Sequence, residues 1–201
     1  MNRQIFFMLA IVLILPPSPA KATMITFEET PNGDPIDIPH EPPTLITDEF
    51  LDWGVIFQNE TFIHQHSVPA DAPSPDNTIL CGSYLNNNGV TFDAYFVLPG
   101  QPSVLGTVPW FEITQDKGAQ SGGGTLEAYD IDGNLVDSVT FHTSGGTFRV
   151  ESTAGIHRVY VGACSDDLDN FTYGVIVPEP CTLLLVSLGS LVLIKNATPK
   201  F

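Results

Sequence analysis

The sequence predicts an all-β protein, a two-sheet jelly-roll sandwich flanked by an N-terminal signal helix and a C-terminal apolar helix. Three observations carry this reading. Apolar residues in the middle of the chain recur in short runs, and none sustains a 3.6-residue period. Gly, Pro, Asn and Asp clusters bound those runs, with 17 Gly and 17 Pro among 201 residues. At each end stands one unbroken apolar segment of a length and flank that suit an address signal.

The N-terminal segment has one positive charge in Met1-Asn2-Arg3-Gln4, then 11 apolar residues over 5–15, then Ala20-Lys21-Ala22. Ala20 and Ala22 form the small-x-small pattern that signal peptidase cuts after, so the mature chain is expected to begin at Thr23. A run of 11 residues, at about 1.5 Å per helical residue, covers roughly half of a 30 Å hydrocarbon core. Pro16, Pro17 and Pro19 would stop that helix.

The body then supplies eleven candidate strands, over 24–27, 54–58, 62–66, 78–85, 90–97, 108–114, 125–130, 135–141, 147–151, 158–162 and 171–176. The clearest hairpin turns at Asp132-Gly133-Asn134, where Asp-Gly favours the positive φ of a tight turn. So many strands in one domain suit a closed pair of sheets, which leaves fewer exposed edges than an open sheet. The Pro-rich stretches 31–43 and 69–75 read as surface loops. The organisation is therefore a signal peptide over 1–22, a β-sandwich over 23–176 and a sorting and transmembrane segment over 177–201.

Residues 23–177 carry 22 acidic and three basic side chains, a net charge of −19. Nucleic-acid affinity depends on cations displacing counterions from phosphates, so nucleic acid is excluded as a partner, and anionic lipid surfaces are disfavoured for the same reason. With 43% hydrophobic residues there is apolar surface enough for a core. Cys81 and Cys164 are the two cysteines of the exported body, and in an oxidising compartment they are expected to pair.

At the far end, Val177-Pro178-Glu179-Pro180 precedes a 14-residue apolar run over 181–194, followed by Lys195 and a polar end with Lys200. This resembles the PEP-CTERM sorting signal of exported bacterial proteins: a Pro-Glu-Pro triplet, an apolar helix and a basic terminus. The basic end is thinner here than the family's arginine cluster. The resemblance implies recognition by an exosortase, a membrane protease with a cysteine nucleophile, in bacteria that make extracellular polysaccharide. It implies export through the inner membrane, a transient C-terminal anchor, and delivery to the envelope surface or the medium.

The body is similar to PEP-CTERM proteins in a looser way, through Ile25-Thr26-Phe27-Glu28, Trp53-Gly54-Val55-Ile56-Phe57, Ala128-Tyr129-Asp130-Ile131-Asp132-Gly133 and Asp167-Leu168-Asp169-Asn170-Phe171-Thr172-Tyr173-Gly174. What this implies is a carbohydrate-binding-module-like jelly roll whose first and last strands lie together and hold a structural cation. Glu28, Asp167, Asp169 and Asn170, with Asp166 and Glu29 beside them, would be the oxygen donors for Ca²⁺, which takes six to eight. Solvated acidic surface is the plainer account of the same cluster.

His64 and His66 stand at i, i+2 and would share a strand face as the start of a Zn²⁺ or Cu²⁺ site, yet no third ligand is evident beyond His40 and Glu60. Exposed strand polarity explains these, His142 and His157 equally well. No nucleophile elbow, zinc-protease helix or phosphate loop is present, and no catalytic residue is assigned. The expectation is an exported, non-enzymatic surface or matrix protein. A glycan-binding module is the first alternative, with Trp53, Trp110 or Tyr129 stacking on sugar faces and extracellular polysaccharide as partner. A secreted glycan hydrolase is the second, and its mark would be two carboxylates converging in a cleft.

Overall fold

A computed structural model describes residues 21–36, 44–58, 61–65, 77–80, 90–115, 124–141, 145–164 and 167–178. Thirteen strands occupy them: β1 (Thr23–Ile25), β2 (Thr44–Leu45), β3 (Val55–Gln58), β4 (Phe62–Gln65), β5 (Asn77–Leu80), β6 (Val90–Leu98), β7 (Gln101–Gln115), β8 (Thr125–Tyr129), β9 (Leu135–Thr140), β10 (Gly146–Ile156), β11 (Arg158–Cys164), β12 (Asp167–Tyr173) and β13 (Val177–Pro178). One 3-10 turn, Leu51–Trp53, leads into β3.

The pairings are antiparallel and fall into two layers. One sheet runs β2-β4-β5-β12-β7-β10, with β1 also on β12; the other runs β3-β6-β11-β8-β9. The β6–β7 hairpin carries the chain from one layer into the other. First and last long strands lie together, Thr23 opposite Tyr173 and Ile25 opposite Phe171, as the resemblance implies.

Period-2 alternation explains the layering, because each strand turns one face inward. Phe92, Ala94 and Phe96 of β6, Leu126 and Ala128 of β8, and Val159 and Val161 of β11 are buried. They face Phe111 and Ile113 of β7, Phe148 and Val150 of β10, and Phe171 and Tyr173 of β12. The contact between layers is largely aromatic. Phe171 meets Phe111 with centroids 4.4 Å apart and Phe57 at 5.3 Å, while Phe96 meets Tyr173 at 5.2 Å. Burying each such ring contributes about 1.5–3 kcal/mol.

Each of the eleven expected strands overlaps one that forms, though β1 ends at Ile25 and β12 already begins at Asp167; positions 66 and 81–85 of two of them lie outside the described residues. The Asp130–Asn134 turn forms as well, with Gly133 at φ 82° and the Asn134 N–H donating to Asp130 Oδ1 at 2.8 Å. Two strands and half of a third were not legible. β2 is two exposed residues, too short for a period. β13 contains Pro178, which has no N–H for a ladder and is tolerated at an edge. The first half of β7 exposes Gln101, Pro102 and Ser103 in succession, so it shows no alternation. The expected signal helix and C-terminal apolar helix lie outside the described residues, and among the described residues no helix is long and apolar enough to cross a membrane.

Candidate functional site

Three adjacent strands of the second sheet carry the same short pattern of a charged residue, a small apolar one and a tyrosine: Asp93-Ala94-Tyr95 on β6, Arg158-Val159-Tyr160 on β11 and Glu127-Ala128-Tyr129 on β8. Antiparallel register turns the pattern into a checkerboard on the outer face. Arg158 pairs with Tyr95 on one side and Tyr129 on the other, and Tyr160 pairs with Asp93 and Glu127. The middle residues, Ala94, Val159 and Ala128, point into the core.

The parts of this face hold one another in place. The Arg158 guanidinium lies 4.0 Å over the Tyr129 ring and 3.4 Å from Asp93 Oδ1. The Tyr129 hydroxyl donates to Glu127, which raises the tyrosine's pKa above the ordinary phenol value, with burial adding to the shift. That hydroxyl is therefore protonated at neutral pH. The Tyr160 ring lies along Gly162, where an added Cβ would meet its Cε1 at 2.8 Å. The result is a partly exposed ring laid on the sheet with the partly exposed Glu127 on one flank and the buried Asp93 on the other.

The outer face of the first sheet carries a second aromatic feature. Pro109 interrupts the β7 ladder, and opposite it β10 bulges: Glu151 pairs with Trp110 but Ile156 with Val108, so Ser152 to Gly155 loop outward. Gly155, at φ 88°, lets the loop return against Thr107, where a Cβ would stand 2.8 Å from the threonine's own. Two adjoining hollows of about 460 and 670 Å³ result, sharing Pro109, Trp110, Ser152 and Thr153. Arg149 lies 4.2 Å over the Trp110 ring and is engaged by Glu151 at 2.6 Å and Glu112 at 3.8 Å.

Of the aromatic residues expected to meet sugars, Tyr129 and Trp110 are on outer faces and partly exposed. Trp53 is also partly exposed, but its ring stacks on Phe50 at 5.8 Å against the core, and its carbonyl accepts the Tyr173 hydroxyl at 2.6 Å. His157 also departs from expectation. It is buried, with Nδ1 donating to the Gly106 carbonyl at 2.9 Å and its ring edge-on to Tyr95, so it belongs to the body's packing. His64 sits on β4 opposite Thr78, while His40, Glu60, His66 and His142 lie outside the described residues.

The acidic cluster is drawn together only in part. Glu28 Oε1 accepts the Asn77 N–H at 2.8 Å, and the buried Asp169 accepts the Asn170 N–H at 2.6 Å through Oδ1. Asn170, at φ 49°, marks the register shift of β12 against β7, a left-handed position that asparagine tolerates. Asp167 pairs with Leu80, and Asp166 lies outside the described residues. Among the described residues no three His, Cys, Asp or Glu side chains gather in a way that could hold a metal, and no cation is assigned.

Cys164 ends β11 opposite Val90; Cys81 lies outside the described residues. Ala22 is exposed immediately before β1, and Ala20 lies outside. Val177 and Pro178, the first residues of the expected sorting motif, pair with Thr107 and Gly106 as β13, while Glu179 and Pro180 lie outside. Tyr95, Tyr160, Asp93, Glu127 and Arg158 were missed as a group. The signal that finds them is the recurrence of the charged-small-tyrosine triplet on three strands, and it has force only once those strands are known to be neighbours.

No family model matches the chain, and no curated protein does. Among solved structures the chain is similar to the K1 cleaved adhesin domain of Lys-gingipain from Porphyromonas gingivalis W83, at 13% identity over 77% of this chain and 98% of that one, with a TM-score of 0.39. It is similar to the arabinose-bound α-L-arabinofuranosidase MgGH51 at 11% identity and TM-score 0.39, over 80% of this chain but only 26% of that enzyme. TmCBM61 in complex with β-1,4-galactotriose aligns at 14% identity over 70% of this chain and 90% of that one, with a TM-score of 0.31. These likenesses are loose, and what this chain does has to be read from its own side chains.

Proposed function

We infer that the body is a non-catalytic glycan-binding module of an exported protein. The observation that carries the reading is the checkerboard of partly exposed Tyr95, Arg158, Tyr129, Tyr160 and Glu127, anchored by the buried Asp93, on the outer face of one sheet. A pyranose offers an apolar face of C–H groups and a rim of hydroxyls. A ring laid on a sheet meets the first, and the partly exposed Glu127 carboxylate at its flank accepts from the second, while the buried Asp93 holds Arg158 in place. Tyr95 and Tyr129 are two strand spacings apart, about 10 Å, so the face has room for a short run of sugars and not for one monosaccharide alone. The hydrolase alternative has less support, because Asp93 is engaged by Arg158 and Glu127 by the Tyr129 hydroxyl. Titration of the full chain with neutral hexasaccharides tests the site. Tyr160→Ala is expected to weaken binding about 30-fold, the roughly 2 kcal/mol of a central aromatic anchor, with the far-ultraviolet spectrum unchanged; unaltered affinity would refute it.

The export reading rests on Ala20-Lys21-Ala22 and on Val177-Pro178-Glu179-Pro180 ahead of the apolar run. Signal peptidase would cut after Ala22, beside an exposed strand start. An exosortase-type protease would meet a triplet whose first proline, Pro178, is the last residue of β13. A 14-residue apolar span is about 21 Å of helix, short of the hydrocarbon thickness, which favours removal of the tail over permanent residence. Intact mass of the protein recovered from envelope and medium checks both cuts: mature material is expected to begin at Thr23 and to lack 183–201. The tail on every molecule, in cells with an active exosortase, would leave a simple anchor.

A further inference from the structure

We propose that the hollow beside Trp110 is a second saccharide site, specific for uncharged glycans, which makes the protein a cross-linker of polysaccharide. The proposal of cross-linking rests on the platform reading above; the second site does not.

The hollow has the two halves a sugar needs. Trp110, Pro109 and Val136 supply apolar lining, and Ser152, Thr153 and Glu151, the last beside Trp110 in the register, supply hydroxyl and carboxylate partners. Volumes of about 460 and 670 Å³ suit one or two sugar rings. The wall is rigid. Gly174 donates its N–H to the Trp110 carbonyl at 3.1 Å, and a side chain on Gly174 would strike Pro109 at 2.8 Å and the indole nitrogen at 3.0 Å. The indole is therefore held at its nitrogen edge by Gly174 and over one face by Arg149.

Charge selects the class of glycan. Arg149 is the cation at the hollow, and its guanidinium is already engaged by Glu151 and Glu112. A uronate or sulfated sugar entering here would meet two carboxylates for one occupied arginine, in a body of net charge −19. A neutral sugar meets no such opposition. The Trp110 and Tyr160 sites point outward from opposite sheets, and packed sheets stand about 10 Å apart backbone to backbone. One straight glycan segment cannot lie on both, so two occupied sites join two segments.

The test uses the full chain with neutral hexasaccharides of β-1,4-glucan, β-1,4-galactan and β-1,4-mannan, and hexagalacturonate as the anionic probe, read by native mass spectrometry and by gelation of the matching neutral polymer. Two neutral hexasaccharides per chain are expected, with gelation, and at least tenfold weaker binding of hexagalacturonate. Trp110→Leu, which keeps apolar volume but loses the flat ring, and Ala154→Glu, which narrows the rim without touching the ring, should each remove one of the two and abolish gelation. One hexasaccharide on the wild type with Trp110→Leu silent, or two retained in both variants, overturns the second site, and hexagalacturonate bound as tightly as the neutral probes overturns its selectivity. If Trp110→Leu abolishes binding while Tyr160→Ala leaves it intact, the hollow stands and the platform falls. A chain that captures none of the neutral probes overturns both.

Discussion

A Cβ on Gly162 would stand 2.8 Å from Cε1 of Tyr160, so the tyrosine ring occupies the space that any larger residue at position 162 would claim. Gly162→Ala should therefore lift the ring off the sheet, since the ring is the mobile partner and the Thr125 hydroxyl, 3.2 Å away, closes the other side. Glycine inside a strand is itself unfavourable by about 0.5–1 kcal/mol relative to alanine, which offsets part of the steric cost. The expected outcome is a stability change under about 1 kcal/mol with hexasaccharide affinity reduced at least fivefold. Unchanged affinity would separate the platform from the ring's position.

The distinction between what could and could not be read from the sequence follows from range. Strands such as β8, with Leu126 and Ala128 inward and Glu127 and Tyr129 outward, announce themselves by local alternation, and so does the Asp130–Asn134 turn. The platform is a product of register: Arg158 meets Tyr95 and Tyr129 across separations of 63 and 29 positions. Nothing local encodes which strand lies beside β11. The hollow is harder still, because it depends on β10 bulging opposite Pro109 while Gly174 closes from β12's end. The stacking of Trp53 on Phe50 was hidden for the same reason, since the contacts of an aromatic residue are decided by the chain that packs over it.

Phe171 is fully buried and meets Phe57, Phe96, Phe111 and Tyr173 with centroids 5.3, 6.4, 4.4 and 5.9 Å away. It joins both sheets, so truncation opens a cavity that neither can fill. Phe171→Ala should cost about 3–5 kcal/mol, and Leu135→Ala, at a residue 56% exposed, within about 0.5 kcal/mol. Urea denaturation at constant m-value measures both; equal midpoints would contradict the aromatic core.

Asp130 titrates below the usual carboxylate range because the Asn134 side chain, and then the Asn134 N–H, donate to its charged form. A folded-state pKa lower than the unfolded one stabilises the fold above the unfolded value, about 3.9, and that contribution is lost as pH falls through the folded value. Asn134→Ala should raise the Asp130 pKa toward its ordinary value and flatten the acid limb of stability. Carbon-detected NMR titration of the carboxyl group reads this directly, and identical titration in both proteins would rule the contact out as the cause.

The last prediction concerns Cys81 and Cys164, 83 positions apart in the sequence. Leu80, the residue before Cys81, pairs with Asp167, and Cys164 stands three residues before Asp167 at the end of β11. The backbone thus carries both approaches to one corner, where β5 and β11 end. A bridge closing so long a loop restricts the unfolded chain, worth about 4–5 kcal/mol by chain-entropy reasoning before any strain is subtracted. In an oxidising compartment the thiols have no reductant to keep them apart. Alkylation, under denaturing, non-reducing conditions, of protein recovered from an oxidising compartment is therefore expected to label neither cysteine, and prior reduction to label both and lower the urea midpoint. Full labelling without reduction would show two free thiols and remove the bridge from the account of this fold's stability.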